Sequence, residues 1–126
     1  MQPSLRHACL LIACALVSLA GLASCQEHSN SPVVNIDILG RRGDHSYKPN
    51  NISVNLGTMV IWTNQDSVPH SVTAPGAFDS GMIAPNGGRF TWVAAQQGSF
   101  DYFSITDQTM KGSITVVAQP PSGGSQ

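Results

Sequence analysis

The segment FDYFSITDQTM, Phe100 to Met110, carries Ser104, Asp107 and Met110 at a spacing of three. A carboxylate is a hard oxygen donor suited to Cu(II) and other divalent cations, and a thioether suits Cu(I). A serine hydroxyl stays protonated at neutral pH and is a poor ligand for either. Upstream, His70 follows Pro69 in DSVPHSVTA and offers an imidazole, a donor suited to copper, zinc, iron or nickel. His28 and His45 lie in polar stretches, and nothing in the sequence ties either of them to His70.

These residues need a scaffold, and the chain supplies one after a leader. MQPSLRH holds one Arg, and ACLLIACALVSLAGLA follows without a charge. That order, ending in small residues, reads as a secretory signal peptide at 1–24. Ala23 and Ser24 before Cys25 resemble a bacterial lipobox, which makes Cys25 the lipidated first residue of the mature chain; ordinary cleavage near Ala23 is the alternative. Residues 25–32 then form the lipid-bearing Cys and a polar tether, 33–118 one domain, and 119–126 a disordered tail. The expected location is the cell envelope, periplasmic or otherwise outside the cytoplasm, with the lipid anchor as the sole hold on a membrane.

Composition narrows the classes further. The chain has 126 residues with Lys+Arg 6 against Asp+Glu 7, and no basic run that would mark a nucleic-acid partner. All three cysteines, Cys9, Cys14 and Cys25, precede the domain. Its core must therefore stand without disulfides, and any metal must be held without thiolate. The expected state is a monomer.

Within the domain, short bursts of alternating or β-branched residues are separated by Gly, Pro, Asn and Asp. VVNIDIL, ISVNL, TMVIWTN, RFTWVA, SFDYFS and GSITVV read as strands, with turns at NLGT, PNGG and QQGS. No stretch keeps a helical period, so the pattern predicts an all-β sandwich or barrel. GRRGDHSYKPN reads as a loop, and the aromatic residues Trp62, Trp92, Phe90, Phe100 and Tyr102 as core and its margins.

From YKPNNISVNLGTMVIWTN through DSVPHSVTA, FDSGMI and GSFDYF to MKGSITV, the sequence resembles the cupredoxins, in particular the plastocyanin- and amicyanin-like small blue copper proteins. The resemblance covers about two-thirds of the chain and implies a Greek-key β-sandwich with a metal site at one end. A blue copper site uses two imidazoles, one thiolate and a weak axial Met, and the family spaces its clustered ligands as Cys-x2-His-x2-Met. His70 falls on the first His position and Met110 on the Met position. Ser104 stands where the family has Cys, and Asp107 where it has the second His.

The resemblance implies copper as cofactor, electron transfer as the class-level role, and a redox or copper-delivery protein as partner. The two replaced ligands imply an altered or weak site, with His70, Met110, Asp107 and Ser104 as the candidate set. A metal-free cupredoxin-fold scaffold at the envelope is the alternative. Structural roles are open for each residue: His70 hydrogen-bonded to Asp107, Asp107 capping a turn or pairing with Lys111, Met110 plugging the core, Ser104 ending a strand. Ser104, His70 and Asp107 also spell a hydrolytic set, but a triad needs hydroxyl and carboxylate on opposite imidazole nitrogens, whereas metal ligands converge on one. The expectation is that the chain is not an enzyme.

Overall fold

The computed structural model describes residues 31–121. The leader and Cys25 lie outside the described residues, as do most of the tether and the end of the tail. Nine strands follow one another: β1 Val33–Ile38, β2 Tyr47–Lys48, β3 Ile52–Asn55, β4 Met59–Asn64, β5 Thr73–Ala74, β6 Phe78–Asp79, β7 Arg89–Val93, β8 Gly98–Ser104 and β9 Asp107–Val117. They form two sheets, ordered β2-β1-β4-β7 and β3-β9-β8-β5-β6. Both sheets are mixed, because β1 runs parallel to β4 and β3 parallel to β9.

The alternation read from the sequence decides which side chains go inside. On β4, Val60, Trp62 and Asn64 are buried while Met59, Ile61 and Thr63 lie between them half-covered. Trp62 sits at the centre of an aromatic cluster, with ring centroids 5.5 Å from Phe78, 5.6 Å from Phe90 and 5.5 Å from Tyr102. The Tyr102 ring lies over Gly112, its partner across β8 and β9. A Cβ at Gly112 would stand 2.4 Å from Tyr102 Cζ, so only glycine fits beneath that ring. Burial pushes the Tyr102 hydroxyl up to about 12.

Two segments differ from the sequence reading. GRRGDHSYKPN is not all loop, since a 3-10 turn spans Gly43–His45 and β2 follows it. More consequentially, the stretch expected as a ligand loop is mostly strand. β9 begins at Asp107, so only Ile105 and Thr106 connect β8 to β9, and Asp107 and Met110 are strand residues. The backbone of an antiparallel ladder satisfies its own polar groups, which favours extending β9 over keeping an open loop.

Candidate functional site

One end of the sandwich collects the singled-out residues, and Asn64 organises it. Asn64 ends β4 fully buried, and its Nδ2 donates to the carbonyls of Val68 (2.9 Å) and Ile83 (3.1 Å). Its Oδ1 accepts from Asp66 N at 3.0 Å. These bonds shape the loop from Gln65 to Pro69 and deliver His70 into a bridge with Ile83. The His70 ring is fully buried, so both its nitrogens need partners inside the protein.

Both have them. Nε2 lies 2.7 Å from Asp66 Oδ2, and Nδ1 lies 3.2 Å from Thr106 Oγ1. The hydrogen bond from His70, with that from Ser67 N, holds the Asp66 carboxyl below the usual carboxylate range. An ionised Asp66 accepts only, so Nε2 carries the proton and, in the neutral ring, Nδ1 accepts from Thr106. Gly40 makes room for this arrangement. It holds a φ of +93°, and a Cβ there would stand 2.6 Å from Asp66 Oδ2.

The chain of hydroxyls continues inward. Thr106 Oγ1 is 2.8 Å from Ser104 Oγ, and Ser104 Oγ accepts from Ser71 N at 3.1 Å. Ser71 Oγ in turn accepts from Ile105 N at 2.9 Å, and Ser71 O accepts from the Tyr47 hydroxyl at 2.8 Å. Ser104 is thus a buried strand end fully engaged in hydrogen bonds.

Asp107 and Met110 take no part in this relay. Asp107 Oδ1 accepts from Thr109 N (3.0 Å) and from Thr109 Oγ1 (2.6 Å). Those two bonds chiefly hold its carboxyl below the usual range. Its other oxygen stands 3.8 Å from Arg41 Nε. It pairs with neither Lys111 nor His70: the acid on His70 is Asp66, four residues before it. Met110 is fully buried among the core residues.

The structure therefore joins His70 to Ser104 through Thr106 and leaves Asp107 and Met110 outside the relay. Asp66 and Thr106 are the residues the sequence reading missed. QDSVPH held a signal for the first, since Asp66 and His70 bracket a short Pro-bearing loop. Nothing marked Thr106, whose hydroxyl matters only because a two-residue turn places it over the imidazole.

A type 1 copper centre does not fit these donors. No cysteine falls within the described residues, Ser104 is committed to Ser71 and Thr106, and Asp107 is held by Thr109. Among the described residues no group of three or more His, Cys, Asp or Glu is placed to hold a metal ion. Nor does Ser104-His70-Asp107 form a triad. Asp66 and Thr106 do occupy opposite nitrogens, yet the cleft of about 510 Å³ lined by Asp44, Asn50, Gln108 and Lys111 includes neither His70 nor Thr106.

A family model described as a cupredoxin-like domain matches residues 12–116, and the chain belongs to that family. A purple cupredoxin from Nitrosopumilus maritimus is 28% identical with a TM-score of 0.60, covering 67% of this chain and 99% of its own. An amicyanin variant in its Cu(I) form is 20% identical with a TM-score of 0.59, over 68% of this chain and 82% of its own. The copper-containing nitrite reductase of Thermus scotoductus SA-01 matches over 71% of this chain but 23% of its own, at 21% identity and a TM-score of 0.59. The last two resemblances are of fold. No curated protein matches the chain.

Proposed function

We propose that the chain is an exported, lipid-anchored cupredoxin-family domain in which a hydrogen-bonded relay stands in place of the copper centre. On this reading it works by binding a partner protein at the cell envelope rather than by carrying electrons. The observation that carries the proposal is the 3.2 Å contact between His70 Nδ1 and Thr106 Oγ1. A buried imidazole with both nitrogens bonded inside the protein has no lone pair free for a metal. The relay also does the mechanical work expected of a metal, tying the β4–β5 loop to the β8–β9 turn. The same end leaves Val68, Met82 and Ile105 exposed, apolar side chains that a protein partner could cover.

A second reading is favoured by Asp66. Metal-bound imidazoles commonly give their far N–H to a carboxylate, as His70 does here. If Thr106 turned aside, His70 with hydroxyl or water oxygens would be a weak site for Cu(II), whose chemistry there would be binding and delivery.

Titration of the mature chain with Cu(II) and with reduced Cu(I), beside His70→Ala and Thr106→Ala, separates the two. The relay reading expects no tight binding that depends on His70. The copper reading expects binding that is lost in His70→Ala and strengthened in Thr106→Ala. Tight one-to-one binding by the unaltered chain that disappears in His70→Ala overturns the first reading.

A further inference from the structure

We propose that the pole of the sandwich opposite His70 lies flat against the bilayer that holds the lipid on Cys25. The proposal rests on the lipid-anchor reading and adds to it a docking face and an orientation.

Four chain segments meet at this pole. Met59 N donates to Pro32 O (2.8 Å), Leu56 N to Val117 O (2.9 Å), Gly57 N to Ala94 O (2.9 Å) and Ala94 N to Thr58 O (2.9 Å). Strand β4 leads from here, at Met59, to Asn64 beside His70, a rise of roughly 17 Å. The pole and the relay therefore face opposite ways.

Its surface carries no charge, and its exposed side chains include three valines and, on the turn between β7 and β8, Gln96 and Gln97. Val33, Val93 and Val117 are 51%, 48% and 41% exposed, and Met59 stands in register between Val33 and Val93. A hollow of about 250 Å³ opens at this end between Pro32, Val34, Val54 and Val117, with Ser53, Asn55 and Thr58 completing its lining. No Asp, Glu, Lys, Arg or His occurs in residues 31–36, 52–65, 90–100 or 112–121. Every charged residue of the described chain lies elsewhere. Pressing this face into a headgroup layer strips water from valines and buries no ion.

The occupant follows from where the proposed lipid is attached. Val33 is the eighth residue after Cys25, so the tether reaches at most about 28 Å, and it enters the domain on this pole. A lipid chain and a weak second contact combine where neither holds alone. Three valines are too little surface to anchor the domain but enough to orient it. The consequence is that the His70 end points away from the bilayer, open to a partner.

The test uses the full mature lipoprotein in phosphatidylethanolamine/phosphatidylglycerol vesicles, labelled at Val93→Cys or at Met82→Cys on the opposite end. The Val93→Cys label should be quenched from the lipid phase and shielded from an aqueous quencher, and the Met82→Cys label should stay in water. Adding Val33→Asp with Val117→Asp, whose carboxylates the anionic headgroups repel, should return the Val93→Cys label to water without changing the acyl mass on Cys25. Two equally water-exposed labels on a chain whose Cys25 carries the acyl mass overturn the docking and leave the lipid anchor standing. A chain without that mass overturns the anchor and the docking with it. Shielding that grows with the protein-to-lipid ratio assigns the face to a second copy and overturns the proposal.

Discussion

His70 Nε2 and the carboxylate of Asp66 stand 2.7 Å apart, and that contact selects which ring nitrogen faces the β8–β9 turn. With Nε2 donating to Asp66, Nδ1 is left to Thr106. The direction of the whole relay, from Asp66 to Ser104, follows from this one choice of tautomer.

Asp66 is held below the usual carboxylate range in the folded chain, so its contribution to stability has a definite sign. The contribution is fully present above the unfolded value of about 3.9 and is lost as pH falls through the lower folded value. Asp66→Asn should flatten the acid limb of a stability profile taken between roughly pH 2 and pH 7. Asp107→Asn should flatten it independently, because Thr109 rather than His70 chiefly holds that carboxyl. Urea midpoints across this range check both.

Gly40→Ala should disturb the relay from a residue that is not one of its members. The added methyl would stand 2.6 Å from Asp66 Oδ2 at a φ of +93°, which side chains rarely adopt. The expected result is a changed pattern of His70 ring-nitrogen chemical shifts, seen by NMR, in a chain that still folds. An unaltered His70 spectrum would show that the backbone at Gly40 makes room for the methyl while Asp66 keeps its place on the ring.

Removing the two hydroxyls should not cost the same. Thr106 is itself exposed, so after Thr106→Val water can approach His70 Nδ1 from that side, and the change should cost about 1 kcal/mol. Ser104→Ala strands Ser71 N in a buried position and should cost about 1–3 kcal/mol. Asn64→Ala, which frees two carbonyls and one N–H at once, should exceed both. Denaturant unfolding gives the order.

Gly112→Ala should destabilise the domain by about 1–3 kcal/mol through overpacking, because Tyr102 already fills the space a methyl needs. Loss of near-ultraviolet circular dichroism from the Tyr102–Trp62 contact should accompany it. A neutral outcome would mean that the Tyr102 ring has room to shift.

Much of this architecture was legible in the chain because it depends on local pattern. Strict alternation in VVNIDI and MVIWTN, with turn residues between them, fixes strands with one buried face, and the position of the last cysteine at Cys25 excludes a thiolate ligand anywhere in the domain. Order and spacing of motifs also identified the family. Two residue types at familiar spacing, Ser104 and Asp107, carried the expectation of an altered copper site.

What the tertiary structure alone decided is who touches His70. Sequence spacing pointed to Asp107, but β9 begins at that residue and Thr109 claims its carboxylate. Asp66 wins because Asn64 folds the intervening loop and Gly40, from a distant segment, leaves a gap of the right size. Thr106 enters because the β8–β9 connection is only two residues long. The neutral pole likewise exists only once strand pairing sets Val33 and Val93 beside Met59 and the second sheet brings Val117 to the same end. Alternation and composition are properties of neighbours in the chain, whereas hydrogen-bond partners and surface patches arise between segments that only packing brings together.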